Sequence, residues 1–130
     1  MSDDLGKYYY GDVMKYGETT GVGVFAIRVF AGGALLLRKP SPYTFRTKFF
    51  PLELYEADLK IAGRLAADFS ETPLAELCTR FVLSHALVDS AIIGFANERQ
   101  VEQAVAAMEL GDLLNAEMRQ IEKNALAVLE

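Results

Sequence analysis

The chain has 130 residues, 52% of them hydrophobic, and a formal net charge of −5. That length suits one domain burying roughly two-thirds of its unfolded surface, and the apolar content argues against disorder for the chain as a whole. An acidic balance with no basic stripe argues against nucleic-acid or anionic-membrane partners.

Cys78 is the only cysteine, which excludes an intramolecular disulfide and makes a reducing compartment the default. One His and one Cys do not assemble the usual zinc sets, so no metal site is expected. Met1-Ser2-Asp3-Asp4 is acidic where a secretory leader would be basic. The apolar run from Gly21 to Phe30 is too short to span a bilayer and carries Arg28. These features lead to the expectation of a cytoplasmic chain.

Residues 1–20 are tyrosine-rich and polar, with a short helix expected around Tyr9 to Tyr16. Val22-Gly23-Val24-Phe25-Ala26-Ile27 then reads as a strand buried on both faces, as in a parallel sheet. Gly32-Gly33 breaks the run. Arg38 to Pro51, with Pro40, Pro42 and Pro51, reads as a long irregular loop, and Lys39, Arg46 and Lys48 as its solvated charges. In the next helix Ala57, Ile61, Leu65 and Phe69 recur every fourth residue, with Leu54 and Ala62 beside them.

A second helix is expected to open with Thr72 as N-cap and Pro73 in the first helical position. Leu74, Leu77, Cys78 and Phe81 then mark its apolar face, with Cys78 a small core residue. Asp89 and Ser90 shape a turn into a buried strand over Ser90 to Ile93. Asn97, followed three residues later by Gln100, matches a capping box opening a third helix, with Val101, Ala104, Val105 and Met108 as its buried stripe. Gly111-Asp112 closes that helix. Leu114, Met118, Ile121, Ala125 and Val128 form the stripe of the last one. A long helical connection between the strands requires them to be parallel. Two parallel strands with four or more helices amount to part of an α/β fold.

The junction Ser90-Ala91-Ile92-Ile93-Gly94-Phe95-Ala96-Asn97 carries the functional signal. A helix start presents unpaired N–H groups and a positive dipole end, and a glycine there lets a ligand approach the backbone. Read alone, the junction is equally an ordinary helix start whose own cap satisfies those groups. Arg28 lies at the C-terminal end of the first strand, where α/β folds hold ligands. Its alternative reading is a surface arginine paired with a local carboxylate.

Gly21 through Leu35, Thr72 through Ser84, Val88 through Gly94 and Glu98 through Met108, in that order and spacing, resemble the C-terminal part of the aldo-keto reductase family. They are similar to its seventh strand and exit loop, seventh helix, eighth strand and eighth helix. The resemblance covers about residues 21–110 and leaves 1–20 unassigned, so 21–130 is expected to be the C-terminal part of such a domain. It implies a partial (β/α)8 TIM barrel from an oxidoreductase that uses a nicotinamide dinucleotide, NADP or NAD. By position, Ile27, Arg28 and Phe30 would contact nicotinamide and pyrophosphate. Gly94, Ala96, Gln100 and Gln103 would lie about the adenosine-side phosphate.

The chain departs from the family pattern at Ile27, where many members stack an aromatic residue on the nicotinamide, and at Arg28-Val29-Phe30, which replaces a frequent Ser-Pro-Leu. Many members also carry Lys, Arg and Asn at the positions of Gly94, Gln100 and Ala104; Arg99 is the nearby cation here. The family's catalytic Asp, Tyr, Lys and His belong to the first half of the barrel, so no catalytic residue is assigned. His85 sits in a helix–strand turn at the opposite end, and Tyr8, Tyr9 and Tyr10 do not correspond to the catalytic Tyr. The expectation is therefore a cofactor-binding part, from a truncated or fragment chain, without its own catalytic groups. The alternative is a non-catalytic interaction module that self-associates, or pairs with a complementary half, through exposed sheet edges.

Overall fold

A computed structural model describes residues 11–46 and 52–129. Helix α1 (Gly11–Thr20) leads into strand β1 (Phe25–Ile27), and a kinked 3-10 segment follows over Ala31–Leu36. Helices α2 (Leu52–Asp68) and α3 (Leu74–Leu83) precede strand β2 (Ser90–Ile92), and helices α4 (Glu98–Glu109) and α5 (Asn115–Leu129) complete the order. The helix expected around Tyr9 to Tyr16 runs on to Thr20, and residues 9 and 10 lie outside the described residues. The basic residue Lys48 and Pro51 of the expected loop also lie outside them.

The two strands are parallel, with Phe25 opposite Ser90, Ala26 opposite Ala91 and Ile27 opposite Ile92. Their register is fixed at the N-terminal end. The Asp89 carboxylate accepts the Val24 N–H at 2.7 Å, while the Val24 carbonyl accepts from the N–H groups of Asp89 and Ser90. Asp89 therefore does more than shape a turn: it closes the first rung of the ladder.

Burial of β1 on both faces does not hold. Phe25 is 67% exposed and Ile27 68%, while Ala26 between them is partly covered. Side chains two apart share a face, so one face of this two-stranded sheet is uncovered by any described residue. Ile92, beside Ile27 in the ladder, is exposed as well.

The core forms instead between helices. Ile61 and Leu65 of α2, Leu77 of α3, Leu113 of the α4–α5 connection and Ile121 of α5 make one buried cluster, flanked by Phe69, Phe81 and Met118. Leu77 is 1% exposed and is the largest fully buried side chain among the described residues. The four-residue repeat of α2 and the apolar face of α3 are therefore used as their spacing predicts. Tyr55 joins the buried face of α2 as well, and its hydroxyl donates to the Arg38 carbonyl at 2.9 Å.

Three other expectations are corrected. Pro73, with φ −57° and ψ 135°, occupies the N-cap position of α3 itself, and Thr72 supplies no side-chain cap. Its missing N–H costs nothing there, and its carbonyl still accepts from Leu77. The last stripe starts one residue early: Leu113 is buried and Leu114 is exposed, because Leu114 is turned outward as the residue before α5. In α4 the stripe of Val101, Val105 and Met108 is exposed, and the helix lies against α3 with Ala107 buried. Those apolar residues line an open cleft beside β2 with Ile92 and Phe95. The periodicity is real, but nothing among the described residues covers it.

A side-chain clamp holds the α4–α5 connection to α3. Arg80 donates from Nε to the Gly111 carbonyl at 2.9 Å and from Nη2 to the Asp112 carbonyl at 3.1 Å, while Nη1 pairs with Glu76. Ser84 Oγ donates to the Arg80 carbonyl and accepts the Leu113 N–H at 2.8 Å. Gly111, at φ 75°, provides the left-handed turn out of α4 that a residue with a side chain rarely adopts.

Candidate functional site

The chain leaves β1 through a strained turn. Arg28, Ala31 and Leu37 have φ of 61°, 48° and 56°, each left-handed without being glycine, and Gly32 and Gly33 lie in the same half of backbone space. Such conformations cost about 1–3 kcal/mol apiece for residues with side chains and concentrate at ligand sites. Here they are held by hydrogen bonds from Ala31 to Arg28, Gly33 to Phe30, Leu37 to Ala34 and Arg38 to Gly33. Gly33, at φ 106°, sits where residues with side chains rarely go, and an added Cβ would also press to 3.3 Å from Arg38 Cδ. The result folds Phe30 and Arg38 back towards the end of β2.

On the other side, β2 runs into Gly94 and the start of α4. Asn97 caps the helix as its type predicts, with Oδ1 accepting the Gln100 N–H at 3.1 Å. The reciprocal bond differs from the usual box: Gln100 Oε1 accepts from the N–H of Ala96, at 2.7 Å, rather than from Asn97. The N–H groups of Ala96 and Gln100 are therefore occupied by the cap itself.

Between the two sides lies an open groove of about 290 Å³, lined by Phe30, Arg38, Gly94, Arg99, Gln100 and Gln103, with Ala75 and Thr79 of α3 also contributing. A second compartment of about 380 Å³ adjoins it at the strand ends, sharing Phe30, Arg38 and Gly94 and adding Arg28 and Ile93. No carboxylate lines either compartment. Gly94 has no left-handed φ, and an added Cβ would meet nothing within 4 Å, so its small size opens space rather than meeting a backbone demand.

Of the residues expected at the site, Phe30, Gly94, Gln100 and Gln103 are thus brought together in one groove, and Arg28 borders it. Ala96 is not among the lining residues. Ile27 is not there either: it lies on a separate apolar cavity of about 230 Å³ between β1 and helices α2, α3 and α5. Arg28 reaches that cavity too and faces Asp58. Burial pulls the Arg28 guanidinium below its usual range, and the nearby Asp58 and Tyr43 oppose this. Burial raises the Asp58 carboxyl, and Arg28 in turn opposes that.

Arg38 is the groove residue that sequence reasoning left in a loop. It follows a glycine pair and an apolar stretch, and only the left-handed turns between them show where it is delivered. Elsewhere, burial pushes the Cys78 thiol up to about 12, which leaves it a core group without nucleophilic character at neutral pH. His85 packs edge-on against Phe81, at 4.9 Å between ring centroids, just before β2 and so at the end of the strands away from the groove. Among the described residues no three His, Cys, Asp or Glu side chains are grouped as a metal site would require.

The groove lies at the C-terminal ends of parallel strands joined by helices, where α/β enzymes hold ligands. A comparison with protein-family models matches residues 10–125 to the Aldo/keto reductase family. The chain is a member of that family. No curated protein and no solved structure gave a significant match. The family match takes in α1 and most of α5 as well as the span from 21 to 110. It points to a TIM-barrel type of fold and to aldo/keto-reductase-type oxidoreduction, and family members generally bind NAD(P)H. Two parallel strands separated and followed by helices are consistent with part of such a fold. No helix among the described residues is long and apolar enough to cross a membrane.

Proposed function

We propose that this aldo/keto reductase chain is the C-terminal, cofactor-binding part of an NAD(P)-dependent oxidoreductase barrel, with β1 and β2 as its seventh and eighth strands. The observation that carries this reading is the groove at the strand ends, which contains two arginines and no carboxylate in a chain of net charge −5. Its donors suit a dinucleotide: guanidinium groups for phosphate, carboxamides of Gln100 and Gln103 for ribose or base, and the Phe30 ring for an apolar face. The bound cofactor would supply or accept the hydride. The residues of this groove bind and orient it, and the acid–base groups of the reaction come from elsewhere in the barrel.

A Gly94→Leu variant tests the placement. The site has ordinary backbone geometry and free space at Cβ, so the substitution fills the groove without straining the fold. NADPH or NADH at about 100 times its dissociation constant stabilises a binding chain by roughly 2.7 kcal/mol. The expected result is a raised melting temperature for the parent chain and none for Gly94→Leu. No shift in the parent, or equal shifts in both, refutes the reading. Turnover of simple aldehydes or sugars by this chain alone would show that it holds catalytic groups of its own.

A second reading, association with another copy or with a complementary half, is favoured by one feature. Phe25, Ile27 and Ile92 stand exposed on the sheet, beside the exposed Val101, Val105 and Met108 of α4. Unpaired strand edges and contiguous apolar surface drive association. Light scattering tests it, and a monomer at high concentration counts against it. A cytoplasmic location belongs to the first reading and is supported by the single cysteine, which forms no intramolecular disulfide.

A further inference from the structure

We infer that the apolar cavity between the exit of β1 and helices α2, α3 and α5 is a binding site for a small neutral phenol, its ring among the core side chains and its hydroxyl against Asp58 and Arg28. The cavity is separate from the groove. It shares only Arg28 and Val29 with the strand-end compartment, and no residue with the compartment of Arg99 and Gln100.

The back of the cavity is core. Ile61 and Leu65 of α2, Leu77 and Cys78 of α3 and Ile121 of α5 are buried, and each contributes wall. Such a wall offers water no hydrogen-bond partner, and an apolar cavity of roughly 150 Å³ takes up benzene. At about 230 Å³ the space here suits one ring with a small substituent.

The wall also favours a ring over an alkyl chain. Phe81 lines the cavity, and its own ring is seated edge-on against His85, at 4.9 Å between centroids. Aromatic rings gain from offset or edge-on contact with one another beyond the area they bury. The neighbouring Cys78 presents a soft, polarisable sulfur to the same space.

One end is polar. Arg28 leaves β1 with φ 61°, and its Nη2 lies 3.4 Å from where a Cβ on Gly32 would stand. Asp58, half-buried on α2, faces it. Asp58, Ile61 and Leu65 follow one another along one face of α2, so the carboxylate and the apolar wall belong to a single surface.

These two opposite charges decide the charge of the ligand. A carboxylate would be drawn to Arg28 and repelled by Asp58, and an ammonium group the reverse. A neutral hydroxyl donates to the carboxylate and accepts from the guanidinium. It also leaves the two charges facing each other, which avoids the cost of stranding either one in a partly buried place.

The test is NMR titration of the full chain with p-cresol, toluene, benzoate and benzylamine, following the methyl groups of Leu65, Leu77 and Ile121. The expected result is that p-cresol shifts these methyls and binds about tenfold more tightly than toluene, the worth of one hydrogen bond to a charged group. Benzoate and benzylamine bind about tenfold or more weakly than p-cresol. Asp58→Asn leaves toluene within about twofold and tightens benzoate about tenfold, because the opposing carboxylate is gone. Ala125→Phe fills the cavity from α5 and abolishes the shifts. Asp58→Asn, at a half-buried position outside the core cluster, keeps the test decisive should Ala125→Phe not fold. No shift with p-cresol, or the same shifts in a folded Ala125→Phe, overturns the site. Binding of p-cresol no tighter than toluene or benzoate, or a benzoate affinity unmoved by Asp58→Asn, overturns the polar end and with it the phenol. Dinucleotide binding at the groove is read from the melting temperature and not from these methyls, so each site stands or falls by itself.

Discussion

Replacing Ser84 by Ala is expected to destabilise the fold by about 1–3 kcal/mol, through one atom. Ser84 Oγ accepts the Leu113 N–H at 2.8 Å and donates to the Arg80 carbonyl at 2.7 Å. The Arg80 carbonyl keeps a donor in the Ser84→Ala variant, because the backbone N–H of residue 84 already reaches it at 2.8 Å. The Leu113 N–H keeps nothing. Leu113 is 6% exposed, seated among Ile61, Leu65, Leu77 and Ile121, in a connection with no secondary structure to supply another acceptor. The cost is therefore that of one orphaned donor near the core, not of two lost hydrogen bonds. Arg80 still holds the Gly111 and Asp112 carbonyls, so the connection stays in place and unfolding remains cooperative. Urea unfolding should show a lower midpoint with an unchanged slope, and the Leu113 amide should exchange faster. Ser84→Thr, which keeps the hydroxyl, should lose less than half as much. A loss below about 0.5 kcal/mol for the alanine variant, or unaltered exchange at Leu113, would show that the hydroxyl is not what satisfies that group.

Leu77→Ala removes the most buried side chain where α2, α3 and α5 meet, and should lower the unfolding free energy by about 3 kcal/mol, read by urea titration. Cys78 should resist a thiol-specific disulfide reagent at neutral pH in the folded chain and react fully in denaturant, since burial takes its thiol up to about 12; fast reaction in the native state would contradict its placement. Asp68 accepts from Asn124 at 2.9 Å and from Gln120 at 2.6 Å, and these bonds hold its carboxyl below the usual value of 3.8. The folded state therefore binds fewer protons than the unfolded one in that range, so this contribution is present above the unfolded value and disappears as pH falls through the folded one. The stability gap between the parent and Asp68→Ala should accordingly shrink on acidification, and a gap independent of pH would refute it.

Much of the helical framework was legible in the sequence because its signals are local. The fourfold spacing from Ile61 to Leu65, the face of Leu77 and Cys78, and the Asn97 cap each depend on residues within one or two turns. Parallel pairing was legible too, since a long helical connection leaves no other geometry. What failed depends on partners that a local pattern does not contain. The runs in β1 and α4 are apolar, and periodicity reads apolar as buried, yet Phe25, Ile27, Val101 and Val105 find no cover among the described residues. Leu113 and Leu114 are chemically identical neighbours, and the bonds that place their backbone, from the Leu113 N–H to Ser84 Oγ and from the Leu114 N–H to Glu117, involve polar partners that an apolar pattern does not weigh. At the candidate site, Gly94, Gln100 and Gln103 followed from one contiguous motif, whereas Arg38 depended on three left-handed residues whose backbone no composition reveals.

The single carboxylate of Asp89 gives the strand pair an anchored end and a free end. Val24 is tied at the start of the ladder, by three hydrogen bonds that include none of the residues around the groove. Strand registry is thus anchored at the end of the strands away from the candidate groove. Exchanging segment 28–46 for the corresponding segment of another family member, with Gly33 and Ala34 kept buried in the turn, is therefore expected to leave the alignment of β1 and β2 unchanged. Variation can accumulate at one end of these strands because the other end does not depend on it.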